Sequence, residues 1–201
     1  MDYQALFARI LHTVDTAAYQ TPVSQVEGPQ REALAEVDRM MHGPGFDATQ
    51  ARTFVRKLHA EGRLDRVKML SALHVIACHP SVADWEEAAR LVGEQEYAAL
   101  ELGGPHLDSN LASADRHRGV LAFLRGHHGV ALEYFTRSLE RERSAENLGN
   151  VLAALLRLGD EAEARDLLDQ VRRGFPSGLV SDLDRNIARD PDLALLRSEA
   201  P

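Results

Sequence analysis

Residues 114–143, ADRHRGVLAFLRGHHGVALEYFTRSLERER, and residues 145–176, AENLGNVLAALLRLGDEAEARDLLDQVRRGFP, carry one pattern written twice within 112–176. Gly126 answers to Gly159, Ala131 to Ala164 and Phe135 to Leu168, each pair 33 positions apart. A fixed period of this length means that each copy is one supersecondary unit, too small to bury its own apolar face and therefore stacked on a neighbour. The predicted fold is all-α, a short solenoid of helical hairpins. Ala131 and Ala164 stand where the two helices of a hairpin approach most closely, and a larger side chain would force them apart. Gly126 and Gly159 end the first helix of each copy, because the left-handed conformation of a helix terminus is cheap only for glycine. Pro176 stops the second helix of the second copy.

The pattern resembles the tetratricopeptide repeat, a 34-residue helix-turn-helix with W-x2-L-G-x2-Y in its first helix and A-x3-F then Pro in its second. In the second copy those positions fall on Leu148, Val151, Leu152 and Leu155, then on Ala164, Leu168 and Pro176. The first copy keeps Gly119 and Ala131-x3-Phe135 but places Asp115 and Arg118 at positions that are normally apolar. The resemblance is strong over about a third of the chain. It implies a superhelix whose concave face, lined by the first helices, accepts a segment of another protein or peptide. By the same resemblance the lining is Arg116, Val120 and Phe123 in the first copy and Glu146, Gly149, Asn150, Ala153 and Arg157 in the second. Arg116 and Asn150 match two positions of the family's carboxylate clamp, but Val120, Leu179 and Leu183 stand where a further amide and two basic residues belong. A mixed apolar and polar groove is expected rather than a clamp.

Outward from the repeats, the amino-terminal half is helical but irregular. Leu6, Phe7, Ile10, Leu11 and Val14 give residues 3–17 an amphipathic helical stripe that must be covered. A loop over 19–29 precedes a helix over 30–42, ended by Gly43-Pro44-Gly45. Asp47 reads as the N-cap of a helix through Ala60 that stops at Gly62, and a further helix over 64–79 closes at Pro80. Phe54, Val55, Leu58, Gly62, Val67 and Pro80 faintly echo the repeat. Trp85, Ala88, Ala89 and Val92 reproduce the first-helix spacing, with Ala98 and Leu102 supplying a shortened second helix; the alternative is one helix over 83–102. Gly103-Gly104-Pro105 breaks the chain, which divides it into an amino-terminal region 1–105, with possible degenerate repeats, and a region 106–201 of two repeats and a capping helix. That cap runs over 178–189 with Leu179, Val180, Leu183 and Ile187 inward, and a short helix beginning near Pro191 follows.

The 201 residues are 44% hydrophobic and 27% charged with few aromatics, a composition that suits helices better than strands. A formal net charge of −8 argues against general nucleic-acid binding, which rests on Lys and Arg neutralising phosphates. Arg137, Arg141 and Arg143 are interleaved with Glu133, Glu140 and Glu142, which reads as a solvated helix face. One cysteine, Cys78, excludes an intrachain disulfide and fits a reducing compartment. With neither a leader-like start nor a run of roughly 20 apolar residues, a cytoplasmic protein off the membrane is expected. Arg outnumbers Lys 21 to 2, a coding bias that points to a GC-rich bacterial genome.

Chemistry-bearing motifs are scarce. His74 and Cys78 share a helix face at i, i+4, but zinc needs three or four ligands, so a buried thiol beside a hydrogen-bonded imidazole is the expectation and no metal or cofactor is assigned. His127-His128 falls in a turn, where exposed imidazoles are common. No phosphate-binding glycine loop, nucleophile elbow or His-Glu-x-x-His helix is present, so no enzyme is expected. The expected function is a non-enzymatic adaptor or chaperone, of which a secretion chaperone is a narrower form. Two alternatives remain: a homo-oligomer docking through Phe7, Ile10 and Leu11, or a ligand sensor built around Trp85 and His74.

Overall fold

The computed structural model describes residues 3–12 and 28–197, except the side chains of Arg9, Leu11 and His12. The expected loop over 19–29 and the inward placing of Leu11 and Val14 fall, wholly or in part, outside those residues. The protein is all-α, with no strand among the described residues. Its helices are α1 (Tyr3–His12), α2 (Pro29–His42), α3 (Ala48–Ala60), α4 (Arg66–Cys78), α5 (Trp85–Leu102), α6 (Leu107–Leu124), α7 (His128–Arg141), α8 (Ala145–Leu158), α9 (Glu161–Gly174) and α10 (Ser177–Arg189). A short 3-10 segment, Pro191–Leu196, follows α10.

The helix ends are set by residues readable in the sequence. The Asp47 carboxylate accepts from the backbone N–H of Thr49 at 2.8 Å and of Gln50 at 3.0 Å, and Asp65 accepts from Lys68 at 2.7 Å. These satisfy donors that the first turn leaves without helical partners. Ser144 does the same for α8 through Asn147 N–H at 3.1 Å. The two copies end their first helices identically. Gly126 N–H donates to Phe123 O and His127 N–H to Ala122 O, both at 2.9 Å; 33 residues on, Gly159 donates to Leu156 O at 3.1 Å and Asp160 to Leu155 O at 3.0 Å. This is the Schellman arrangement around a left-handed glycine. α3 ends the same way, with Gly62 N–H on His59 O and Arg63 N–H on Leu58 O, both at 2.9 Å.

Residues 85–102 form one helix. The reading of Ala98 and Leu102 as a shortened second helix is therefore corrected: nothing between Val92 and Ala98 breaks the ladder, and Gly93 is tolerated with open space at its Cβ position. The chain after Pro191 winds as 3-10 rather than α-helix.

Two compact units divide the chain, Pro22–Leu121 and Ala122–Pro201 together with Met1–Thr21. In the central unit α4 packs on α3 and α5, around Val55, Leu58, Leu70, Leu73, Ile76 and Leu91. Asp115 and Arg118, the two departures from the repeat pattern, belong here. Arg118 pairs with Glu96 of α5 at 2.5 Å and lies 3.8 Å from the buried Asp115 carboxylate. In the carboxy-terminal unit α8 is the hub, packed on α7, α9, α10 and the 3-10 segment. Ala131 and Ala164 are fully buried, as close helix approach requires. Leu179, Leu183 and Ile187 of α10 are buried too, and α10 packs on α8 and α9. α1 folds onto α7 and α9, burying Leu6, Phe7 and Ile10 within the same chain. The Tyr3 hydroxyl donates to the Asp160 carboxylate, which with partial desolvation pushes its pKa up to about 12.

Candidate functional site

The eight residues expected to line a groove do not belong to one unit. Arg116 and Val120, both half-buried, are in the central unit; Phe123, Glu146, Gly149, Asn150, Ala153 and Arg157 are in the carboxy-terminal unit. The latter six follow the face of α8 and the end of α6. Glu146, Gly149, Asn150, Ala153 and Arg157 recur at intervals of three and four, which places them along one side of a helix.

That side of α8 is not open along its length, contrary to the free surface the repeat pattern implies. The 3-10 segment lies on it. Leu193, 1% exposed, sits over Gly149, where a Cβ would come within 3.6 Å of Leu193 Cδ1. Gly149 and Ala153 are consequently buried. Arg157 forms an ion pair with Asp192, and its guanidinium lies 5.9 Å from the Phe123 ring centroid, near enough for a cation–π contact. Arg165 donates to Leu195 O at 2.5 Å, tying the segment to α9.

Beside this contact a cavity of about 390 Å³ remains, lined by Glu146, Gly149, Asn150, Asn186, Arg189, Asp190 and Leu193. Three of the predicted lining residues thus meet three polar residues of α10 and its end. The Asn150 Nδ2 donor beside it is buried, with no hydrogen-bond acceptor among the described residues. Leaving such a donor unpaired costs about 1–3 kcal/mol. The contributions of Asn186, Arg189 and Asp190 escaped sequence reading, because they come from the end of the capping helix and carry no periodic signal.

The central unit holds a second polar group, seen only in part from sequence. His74 Nδ1–H donates to Ala88 O at 3.1 Å, which leaves Nε2 to accept from the Cys78 thiol at 3.4 Å. The His74 ring stacks on His117 at 4.4 Å between centroids. His117 Nδ1–H donates to Gln95 Oε1 at 2.8 Å, Gln95 Nε2 donates to Ser113 Oγ at 3.2 Å, and the Ser71 hydroxyl reaches His117 Nε2 at 3.5 Å. Burial pushes the His74 pKa down to about 4, the Ala88 carbonyl opposing in part. Burial, followed by the neighbouring His74, holds His117 well below the ordinary imidazole range. Burial raises the Cys78 thiol to about 11, so it is a poor thiolate and a poor nucleophile. Each imidazole nitrogen is already engaged, so the cluster offers no lone pair to a ligand. Among the described residues no three His, Cys, Asp or Glu side chains are grouped to hold a metal, and no helix is long and apolar enough to cross a membrane. No protein-family model, no curated protein and no solved structure matches the chain.

Proposed function

We propose that this protein is a non-enzymatic interaction scaffold, an adaptor or chaperone of tetratricopeptide type, whose α8 face holds a short segment of another protein. The observation that carries this reading is the cavity of about 390 Å³ beside Gly149, which the Asn150 side chain and the charged Arg189 and Glu146 line. The glycine-terminated ends that α6 and α8 share support it, since that is the helix ending expected of such hairpins. Helix-lined grooves bind extended or helical segments through a few apolar anchors and a few oriented polar groups. In this reading Gly149 and Ala153 give the anchor its floor, and Asn150 and Arg157 set its register.

The test is capture of a partner from the native host by the wild type and by the Asn150→Ala/Arg157→Ala variant, read by mass spectrometry, with circular dichroism as the check on folding. One protein enriched by the wild type and reduced at least tenfold with the folded variant supports the scaffold. Equal capture by both places binding elsewhere and ends this assignment of the site.

A further inference from the structure

The segment Pro191–Leu196 lies where a guest would lie, and its own conformation does little to keep it there. It is a six-residue 3-10 turn, longer than such runs usually extend, opened by Pro191 and by the Asp190 carboxylate accepting from Asp192 N–H at 2.9 Å. Side chains fasten it to the unit. Leu193 and Leu196, three residues apart, are 1% and 2% exposed, while Leu195 and Ala194 between them face solvent. Asp192, immediately before the first anchor, pairs with Arg157, and both partners are partly exposed to water. The pattern is Asp-Leu-x-x-Leu: one carboxylate on Arg157, one aliphatic side chain on Gly149, a second aliphatic side chain one turn further. These contacts use Gly149 and Arg157, two of the residues assigned to the guest.

Resting on the scaffold reading above, we infer that Asp190–Arg197 is an intramolecular pseudo-ligand, and that the partner segment displacing it carries the same chemistry, a carboxylate directly before one aliphatic residue with a second aliphatic residue three positions on. Because the segment follows α10 with only Asp190 between them, it is tethered at its site at a high effective concentration, and a free peptide competes poorly until the tethered copy is loosened. Exchange requires release of the Arg157–Asp192 ion pair, the two buried leucines, and the hydrogen bonds from Arg165 to Leu195 O and from Arg197 to Ile187 O. The segment thus sets both the specificity of the face and the threshold for occupying it.

The probe is a fluorescein-labelled peptide of residues 188–197, ARDPDLALLR, titrated into the full chain and followed by anisotropy. The proteins are the wild type, Asp192→Arg, and Asp192→Ala/Leu193→Ala. Both variants are expected to bind the peptide at least tenfold more tightly than the wild type, and a peptide with alanine at the two corresponding positions is expected not to bind. Asp192→Arg changes a partly exposed side chain and keeps both leucines, so it remains informative if the double variant does not fold. Equal affinity for wild type and folded variants, or no binding by a folded variant whose 190–197 amides exchange faster than in the wild type, overturns the inference. If the peptide fails in this way while host-partner capture still depends on Asn150 and Arg157, the pseudo-ligand falls and the scaffold stands. If both fail, both fall.

Discussion

Where α7 to α10 meet in the carboxy-terminal unit, the interior is aliphatic: Leu132, Leu139, Leu148, Leu152, Leu155, Leu167 and Leu183 are all at most 1% exposed. Its buried polar residues turn back on nearby backbone, as Thr136 does on Leu132 O at 2.8 Å and Asn147 on Glu142 O at 2.8 Å. The central unit also has an aliphatic core, but it adds a layer across three helices in which Gln95 bonds both Ser113 and His117, and His74 stacks on His117. The contrast separates two ways of specifying a helical interior. Aliphatic packing tolerates any pH and responds to volume, whereas a side-chain network fixes which helices are neighbours and responds to protons.

The largest expected effect breaks the aliphatic side. Leu152→Ala removes a fully buried side chain from the middle of α8 and is expected to cost about 3–4 kcal/mol, the range for a leucine cavity that cannot collapse. Urea unfolding measures it, and a loss below about 1 kcal/mol means that α8 is not the hub of its unit.

The next effect isolates the polar layer. Both imidazoles have folded pKa values below 6.5, so as pH falls the unfolded chain takes up their protons first. The His74 contribution to stability is complete above about pH 6.5 and is lost as pH falls towards about 4, and that of His117 is lost in the same direction. From His74 alone the loss between pH 7 and pH 5 is about 2 kcal/mol. Hydrogen exchange at the two pH values, corrected for intrinsic rates, locates it. Amides of α4 and α5 are expected to lose protection, and equal protection at both pH values removes the network as the cause.

The smallest effect compares one left-handed residue from each unit. Gly159 closes α8 at φ 87°, while Ala83, just ahead of α5, adopts φ 47° with a side chain that resists it. Gly159→Ala is expected to destabilise by about 1 kcal/mol and Ala83→Gly to stabilise by about 0.5 kcal/mol, since the relieved strain exceeds the added freedom of the unfolded chain. Thermal melts of the two variants should move in opposite directions. A shared direction shows that one of the two conformations is not strained as described.

What was legible in the sequence follows from what is local. Asp47, Gly62, Gly126 and Gly159 announce helix ends because a cap acts over three or four residues. The His74–Cys78 contact was legible for the same reason, being four apart on one helix. His117 and Gln95 were not, because their bond joins positions 22 apart with no pattern between them. The candidate site was half legible. Repeat spacing pointed to Glu146, Gly149, Asn150, Ala153 and Arg157 as one side of α8, but spacing within a helix says nothing of what lies across it. That Leu193 covers Gly149, and that Arg116 and Val120 fall in the other unit, depend on the path of the chain.

The hydrogen bond from Tyr3 to Asp160 has a consequence for the birth of the protein. Its partners are 157 residues apart, so α1 leaves the ribosome long before α9 exists to receive it. At about 5–20 residues per second the wait is roughly 8–30 seconds, during which Leu6, Phe7 and Ile10 have no native cover. The carboxy-terminal unit therefore cannot close in the order in which it is made, and the apolar stripe of α1 waits for α7 and α9 to cover it.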